Sequence, residues 1–257
     1  SHASDRVRRT GGLCPRPNPG RIGPREPGGV MRKVLIALVV LVVLLIAVDR
    51  IAKVVVQHQA AGRIQDEYNL SERPDVTVHG FPFLTQVLRR ELTRVDVDAA
   101  GVAIEDTQNL DVDLTLRDVR LLDGYRGRAR ELDGTVLVPY DELARLVRET
   151  GGVGINLGYG GTPDTIAIRA SIPGPSGAVD VVAFGALRLS GSRLTMRPTR
   201  FEVNGEPADP IVAEVARNQL ELEVRIPRIP GTISFESLHA TEAGLQIGIS
   251  GRNVSVG

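Results

Sequence analysis

Val34 to Val48 is an unbroken run of fifteen apolar residues, entered from Arg32-Lys33 and left through Asp49-Arg50. Such a run has three readings: a membrane span, the core of a secretory signal, or a helix buried in a large core. A signal core takes about 7–15 residues and a span about 17–25, so length alone leaves the first two open. Two features favour an uncleaved anchor. No small-x-small cleavage site follows Val48, and Ile51, Ala52, Val54, Val55 and Val56 prolong the apolar character. Arg50 and Lys53 have side chains long enough to snorkel to an interface. The abrupt basic flank argues against a buried core helix. We therefore expect a signal-anchor or transmembrane helix over 34–56 in a single-pass protein of the cell membrane. The basic flank stays in the cytoplasm and the C-terminal domain, 57–257, is extracytoplasmic, in the periplasm.

Charge supports this division. Lys+Arg and Asp+Glu both total 31 in the 257 residues, a formal net charge of zero. Residues 1–33 hold eight basic and two acidic residues and carry +6, so the remainder carries −6. The tail is rich in Arg, Pro and Gly, too poor in apolar residues to offset the entropy of ordering, and is expected to be disordered. Met31 offers an alternative start that would place the first 30 residues upstream of the protein. A nucleic-acid binder concentrates its basic charge on a folded domain, which is here acidic. With no Trp, five Phe and four Tyr, base-stacking platforms are not expected either. The single cysteine, Cys14, lies in the tail, so the rest of the chain holds no disulfide, thiolate nucleophile or Cys-based zinc site.

Beyond the apolar run the pattern stays helix-compatible to about Tyr68, then changes period. In Asn109–Arg117, Leu110, Val112, Leu114 and Leu116 alternate with polar residues, as in a half-buried antiparallel strand. Val95 and Val97 alternate likewise until the phase shifts at Gly101, which predicts a bulge. Further one-faced strands are expected at Ile166–Ile172, Val179–Leu189, Leu194–Val203 and Leu245–Val256. Short helices are expected at Phe83–Arg90 after Pro82, at Asp141–Val147 and at Pro210–Leu222. Gly151–Pro163 reads as a Gly-rich loop and Ile172–Pro175 as a turn. One elongated α+β domain is the economical reading.

Several catalytic patterns are missing. Asp96-Val97-Asp98 and Asp111-Val112-Asp113 have the Asp-x-Asp spacing that holds a divalent ion in nucleotide-sugar enzymes. Strand alternation produces the same spacing without a metal. His2, His58, His79 and His239 show no ligand spacing. Gly174-Pro175-Ser176-Gly177-Ala178 lacks the last glycine of a nucleophile elbow, and Gly158-Tyr159-Gly160-Gly161 lacks the Lys-Ser/Thr of a phosphate loop.

The stretch His79-Gly80-Phe81-Pro82-Phe83-Leu84-Thr85-Gln86-Val87-Leu88, between Val76-Thr77-Val78 and Val95-Asp96-Val97, carries a resemblance. With Gly134-Thr135-Val136, Val138-Pro139-Tyr140-Asp141-Glu142-Leu143 and the ending Ile226-Pro227-Arg228-Ile229-Pro230-Gly231, Leu238 and Thr241-Glu242-Ala243-Gly244-Leu245, it resembles the actinobacterial LmeA-like phospholipid-binding proteins. The resemblance spans roughly Val34 to Val256. It implies a cell-envelope protein with an elongated, β-rich, tubular lipid-binding-like fold and an apolar cavity for acyl chains. It further implies a phosphatidylinositol-type or other anionic lipid and a role in elongating mannose-bearing glycolipids. No catalytic residue, metal or cofactor comes with it; the partners implied are phospholipid, the membrane and envelope glycolipid-synthesis enzymes.

On that footing the candidate lipid-binding residues are Phe81, Phe83, Leu84, Val87 and Leu88, with Val181 and Ala183 on a strand face. Phe81 and Phe83 would form an apolar lip at the membrane or at an acyl-chain entrance; the alternative is that they staple the following helix to the sheet. Arg89, Arg90 and Arg94 are the candidate headgroup residues, because guanidinium groups grip phosphate in a bidentate way. Arg126, Arg128 and Arg130 form a second basic cluster, placed in a loop; either group would otherwise be a solvated face. Two other functions stay open: an adaptor with a solid core that binds an envelope glycosyltransferase or wall component, and a metal-dependent glycan enzyme using an Asp-x-Asp pair.

Overall fold

A computed structural model describes residues 28–104, 107–122, 126–149, 155–174, 177–190, 193–210, 213–214, 217, 222–225 and 233–256. The chain divides into two compact units, Ser1–Leu45 and Ile46–Gly257.

One helix, α1 (Gly28–Glu67), contains the whole apolar run and starts a few residues ahead of it. It is long and apolar enough to cross a membrane. Its large side chains from Val34 to Leu45 are exposed, so packing within the protein does not account for their apolar character. Towards the C-terminal end Ala61 is buried and Ile64 packs against the domain core.

The rest of the second unit is built on two antiparallel sheets. In the first, β1 (Asp75–His79), β2 (Glu91–Ile104), β3 (Thr107–Leu121) and β4 (Gly127–Pro139) follow one another as neighbours. Then β12 (Gly244–Val256) and β11 (Ile233–Ala240) complete the order β1-β2-β3-β4-β12-β11. Between β4 and β11 the chain leaves through α3 (Tyr140–Glu149) to make the second sheet. That sheet contains β5 (Asn156–Tyr159), β6 (Thr165–Gly174), β7 (Gly177–Ser190), β8 (Arg193–Val203) and β10 (Leu222–Arg225), in the order β10-β8-β7-β6-β5, with β9 (Glu206–Pro207) on β8. The fold is thus α+β, strand-rich and entirely antiparallel, as the alternation predicts.

One hydrophobic cluster runs through both sheets: Leu116, Leu132, Leu245 and Ile247 of the first join Ile166, Ile168, Leu194 and Met196 of the second. The predicted bulge is present. At Gly101 φ is +68° and the β2–β3 register slips between Ala99 and Val102. A residue with a Cβ would be strained there, which is why the phase changes at a glycine.

The expected acidic first turn of α3 is Asp141-Glu142, and Glu142 does more than favour the helix dipole. It is buried, accepts the Gln108 backbone N–H at 2.6 Å and takes Arg145 Nε at 2.9 Å. The Arg145 guanidinium outweighs burial and holds its carboxyl below the usual range. Tyr140 Oη donates to Thr241 O at 2.8 Å, tying α3 to the β11–β12 turn; burial pushes this phenol up to about 12.

Four expectations need correction. Part of the loop expected over Gly151–Pro163 is strand: β5 pairs with β6, Leu157 opposite Ile168. Burial of Ile155 and Leu157 outweighs the poor strand propensity of Asn156 and Gly158; residues 150–154 lie outside the described ones. Arg128 and Arg130 are in β4 and not in a loop, exposed on either side of the buried Ala129. The strand β6 continues through Pro173 to Gly174, where a turn was expected; 175 and 176 lie outside the described residues. Of the helix expected over Pro210–Leu222, Pro210, Ala213, Glu214 and Arg217 are helical, Leu222 already opens β10, and the others are not among the described residues.

Candidate functional site

The motif around Phe81 builds a short helix, α2 (Phe83–Arg89), in the connection from β1 to β2. Gly80, at φ +100°, turns the chain out of β1; a Cβ there would lie 2.5 Å from Gln86 Nε2. Pro82 is the N-cap residue and has no side-chain acceptor for the helix amides. That acceptor comes from α1. Asp49 Oδ1 takes the Leu84 N–H at 2.8 Å across 35 residues of sequence. Asp49 is 3% exposed and its Oδ2 has no partner among the described residues. Gln86 fastens the other side of α2: its Nε2 donates to His79 O at 3.3 Å, and its Oε1 accepts the Thr93 N–H at 3.0 Å. Arg90 caps the C-terminus in the left-handed conformation, φ +56°, and its carbonyl accepts the Leu121 N–H of β3 at 2.9 Å.

This arrangement separates the two phenylalanines. Phe83 is 2% exposed and belongs to the domain core, the stapling role. Phe81 is 57% exposed, with the Arg50 guanidinium 5.2 Å from its ring centroid, within cation–π range. Leu84 is half-buried, Val87 is at the edge of exposure and Leu88 is 83% exposed. Arg89 and Arg90 are exposed, and no carboxylate pairs with either among the described residues. Arg94, on β2, is engaged otherwise: its Nε donates to Asp96 Oδ1 at 2.7 Å. Asp96 also contacts His79 Nε2 at 2.7 Å and accepts the Thr115 hydroxyl at 3.0 Å. The hydrogen bond from Arg94, with those from Thr115 and His79, outweighs burial and holds its carboxyl below the usual range. Val181 and Ala183 sit on β7 in the second sheet, both buried, and Ala183 shares the core cluster with Phe83.

A groove of about 570 Å³ opens elsewhere, on the polar face of the first sheet. Glu72, Asp75, Asp98, Asp111 and Asp113 line it, with Arg73 the one basic group among its lining residues. Register puts Asp75 opposite Asp98 and Asp98 opposite Asp113, three carboxylates abreast. Burial, with the charges of Asp113, Asp75 and Asp96, pushes the Asp98 carboxyl up. Such a groove repels a phosphate headgroup. Both Asp-x-Asp pairs lie here as the outward positions of alternating strands, and among the described residues no three His, Cys, Asp or Glu are gathered to hold a metal.

Sequence reasoning missed the Asp49 cap, the Arg50–Phe81 contact and the acidic row. The first joins residues 35 apart, and the last appears only once strand register is known.

The model of the LmeA-like phospholipid-binding family matches residues 47–250. No curated protein and no solved structure gives a significant match. The matched range takes in Asp49, α2 and both sheets, so the whole two-sheet unit, from the end of the apolar run nearly to the C-terminus, is a member of the LmeA-like phospholipid-binding family.

Proposed function

We propose that the protein is a single-pass, membrane-anchored phospholipid-binding protein of the cell envelope that works without catalysis. Residues 34–56 are the anchor and residues 57–257 face away from the cytoplasm. The observation that carries this reading is the family match over 47–250, set beside one helix long and apolar enough to cross a membrane. Acyl chains enter the aliphatic interior that contains Phe83 and Ala183, where each buried CH₂ contributes about 0.8 kcal/mol. The headgroup is a phosphatidylinositol-type or other anionic one, met by the exposed Arg89 and Arg90 at the α2 end. The acidic groove favours that end by excluding phosphate from its own face. Lipid held in this way is presented to enzymes that elongate envelope glycolipids.

A phospholipid with a photoactivatable group at its acyl terminus tests the reading. Irradiation followed by peptide mass spectrometry is expected to find adducts in α2 and on interior residues such as Ala183. Adducts confined to α1, or to the groove around Asp98 and Asp113, would contradict it.

A further inference from the structure

Outside α1, the described part of the chain exposes five large hydrophobic side chains: Tyr68, Phe81, Val87, Leu88 and Leu122. Four of them converge. Phe81, Val87 and Leu88 belong to α2 and its entry, and Leu122 follows Leu121, whose N–H is bonded to the Arg90 carbonyl. Leu122 is 50% exposed and its own N–H donates to Arg126 O at 2.8 Å.

The same end collects basic charge. Arg50, Arg89, Arg90, Arg126 and Arg128 are exposed there, and Arg120 stands opposite Arg128 in the β3–β4 register. Two acids described at this end are Glu91, at 3.3 Å from Arg120, and Asp49, which is buried against α2; Asp123 is outside the described residues. Further along the strands the charge reverses. Asp98 lies seven residues beyond Glu91, about 23 Å at about 3.3 Å per residue, and there the acidic groove begins.

Position relative to the apolar run supplies the occupant. Asp49 is the first residue after that run, and it caps α2 directly. Ile51, Val54 and Val55, on the next turns of α1, are exposed as well. If Val34–Val48 lies in the bilayer, α2 is held at the level where the chain leaves it. Exposed apolar side chains ringed by arginines at that level suit an anionic lipid surface.

We propose that α2, with Leu122 after β3 and Arg126 before β4, forms a bilayer-docking surface, with Phe81, Val87, Leu88 and Leu122 entering the interface and Arg50, Arg89, Arg90 and Arg126 meeting anionic lipid phosphates. The inference rests on the anchored reading and adds a place where lipid passes between bilayer and domain without crossing water. The acidic groove, about half-way along the same strands, is kept away from the headgroups.

The test uses the full chain in nanodiscs of phosphatidylcholine with phosphatidylglycerol. Cys14→Ser removes the native thiol, and Leu88→Cys carries an environment-sensitive fluorophore; Gln108→Cys, exposed at the far end of β3, is the reference. The probe at 88 is expected to emit to the blue of the probe at 108 and to be quenched by spin-labelled lipid, with both effects reduced in an Arg89→Glu/Arg90→Glu variant. Emission like that at 108 without lipid quenching would overturn the proposal. So would a blue shift without quenching, which places protein, such as a second copy, on this face. Photo-crosslinking on the same nanodiscs separates the two readings. Interior adducts with an aqueous probe at 88 reject docking alone, whereas a quenched probe without interior adducts supports docking and rejects lipid uptake.

Discussion

At the scale of single residues, Asp49 carries two roles at once. It ends the apolar run, and its buried carboxylate takes the place of the side-chain cap that Pro82 lacks. Replacing it by Ala leaves the Leu84 N–H without its acceptor and is expected to destabilise the domain by about 0.5–2 kcal/mol, the range for a lost N-cap. Asp49→Asn keeps an acceptor oxygen and is expected to lose less. Chemical denaturation followed by circular dichroism reads both, and an unfolding midpoint unchanged in Asp49→Ala would remove the cap from the account. Phe81 and Phe83 show how far residue types alone can be read. Two phenylalanines around a proline announced a site with two possible uses, an exposed lip or a staple to the core. The structure separates the two: Phe83 is the first helical residue and is buried in the core, while Phe81 lies outside the helix and is exposed. Val181 and Ala183 show the limit: their aliphatic character suits an acyl wall or a packed core equally, and both are buried in β7.

At the scale of elements, period-two alternation located the long strands, and a phase break at Gly101 located a bulge, because side-chain direction is a local property of the backbone. Register is not local, so the Asp75–Asp98–Asp113 row stayed hidden until strands were paired. The strand β5 was missed for a related reason: Asn156-Leu157-Gly158-Tyr159 has little strand propensity and is held by pairing with β6 and by burial of Leu157. Like charges abreast weaken a sheet, and the raised Asp98 carboxyl sets the sign. A carboxyl whose folded-state value is raised binds its proton more tightly in the folded state. The penalty is fully present above that raised value and vanishes below the unfolded value, about 3.9. Asp98→Asn is therefore expected to stabilise the domain at pH 7 by roughly 0.2–1 kcal/mol. The gain should shrink in high salt, since Asp98 is exposed, and close as the pH falls through the carboxylate range. Thermal melts of variant and parent at neutral and acid pH check this; a variant less stable at pH 7 would contradict it.

At the scale of the molecule, a +6 N-terminal segment, an apolar helix and a −6 remainder were legible from composition alone. The charge separation inside the domain was not. Among the described residues, arginines gather around α2 and the adjoining ends of β3 and β4, while carboxylates line a groove further along the same strands. That polarity suits a domain held with its α2 end towards anionic lipid, and the family match makes phospholipid the ligand to look for. The most direct measurement is mass spectrometry of organic extracts from the purified unit, residues 46–257, produced in a lipid-rich host. The expected result is about one phospholipid per chain, with an anionic headgroup, reduced in the Arg89→Glu/Arg90→Glu variant. An extract without phospholipid, repeated after incubation with anionic vesicles, would contradict lipid uptake and leave the interior as a solid core.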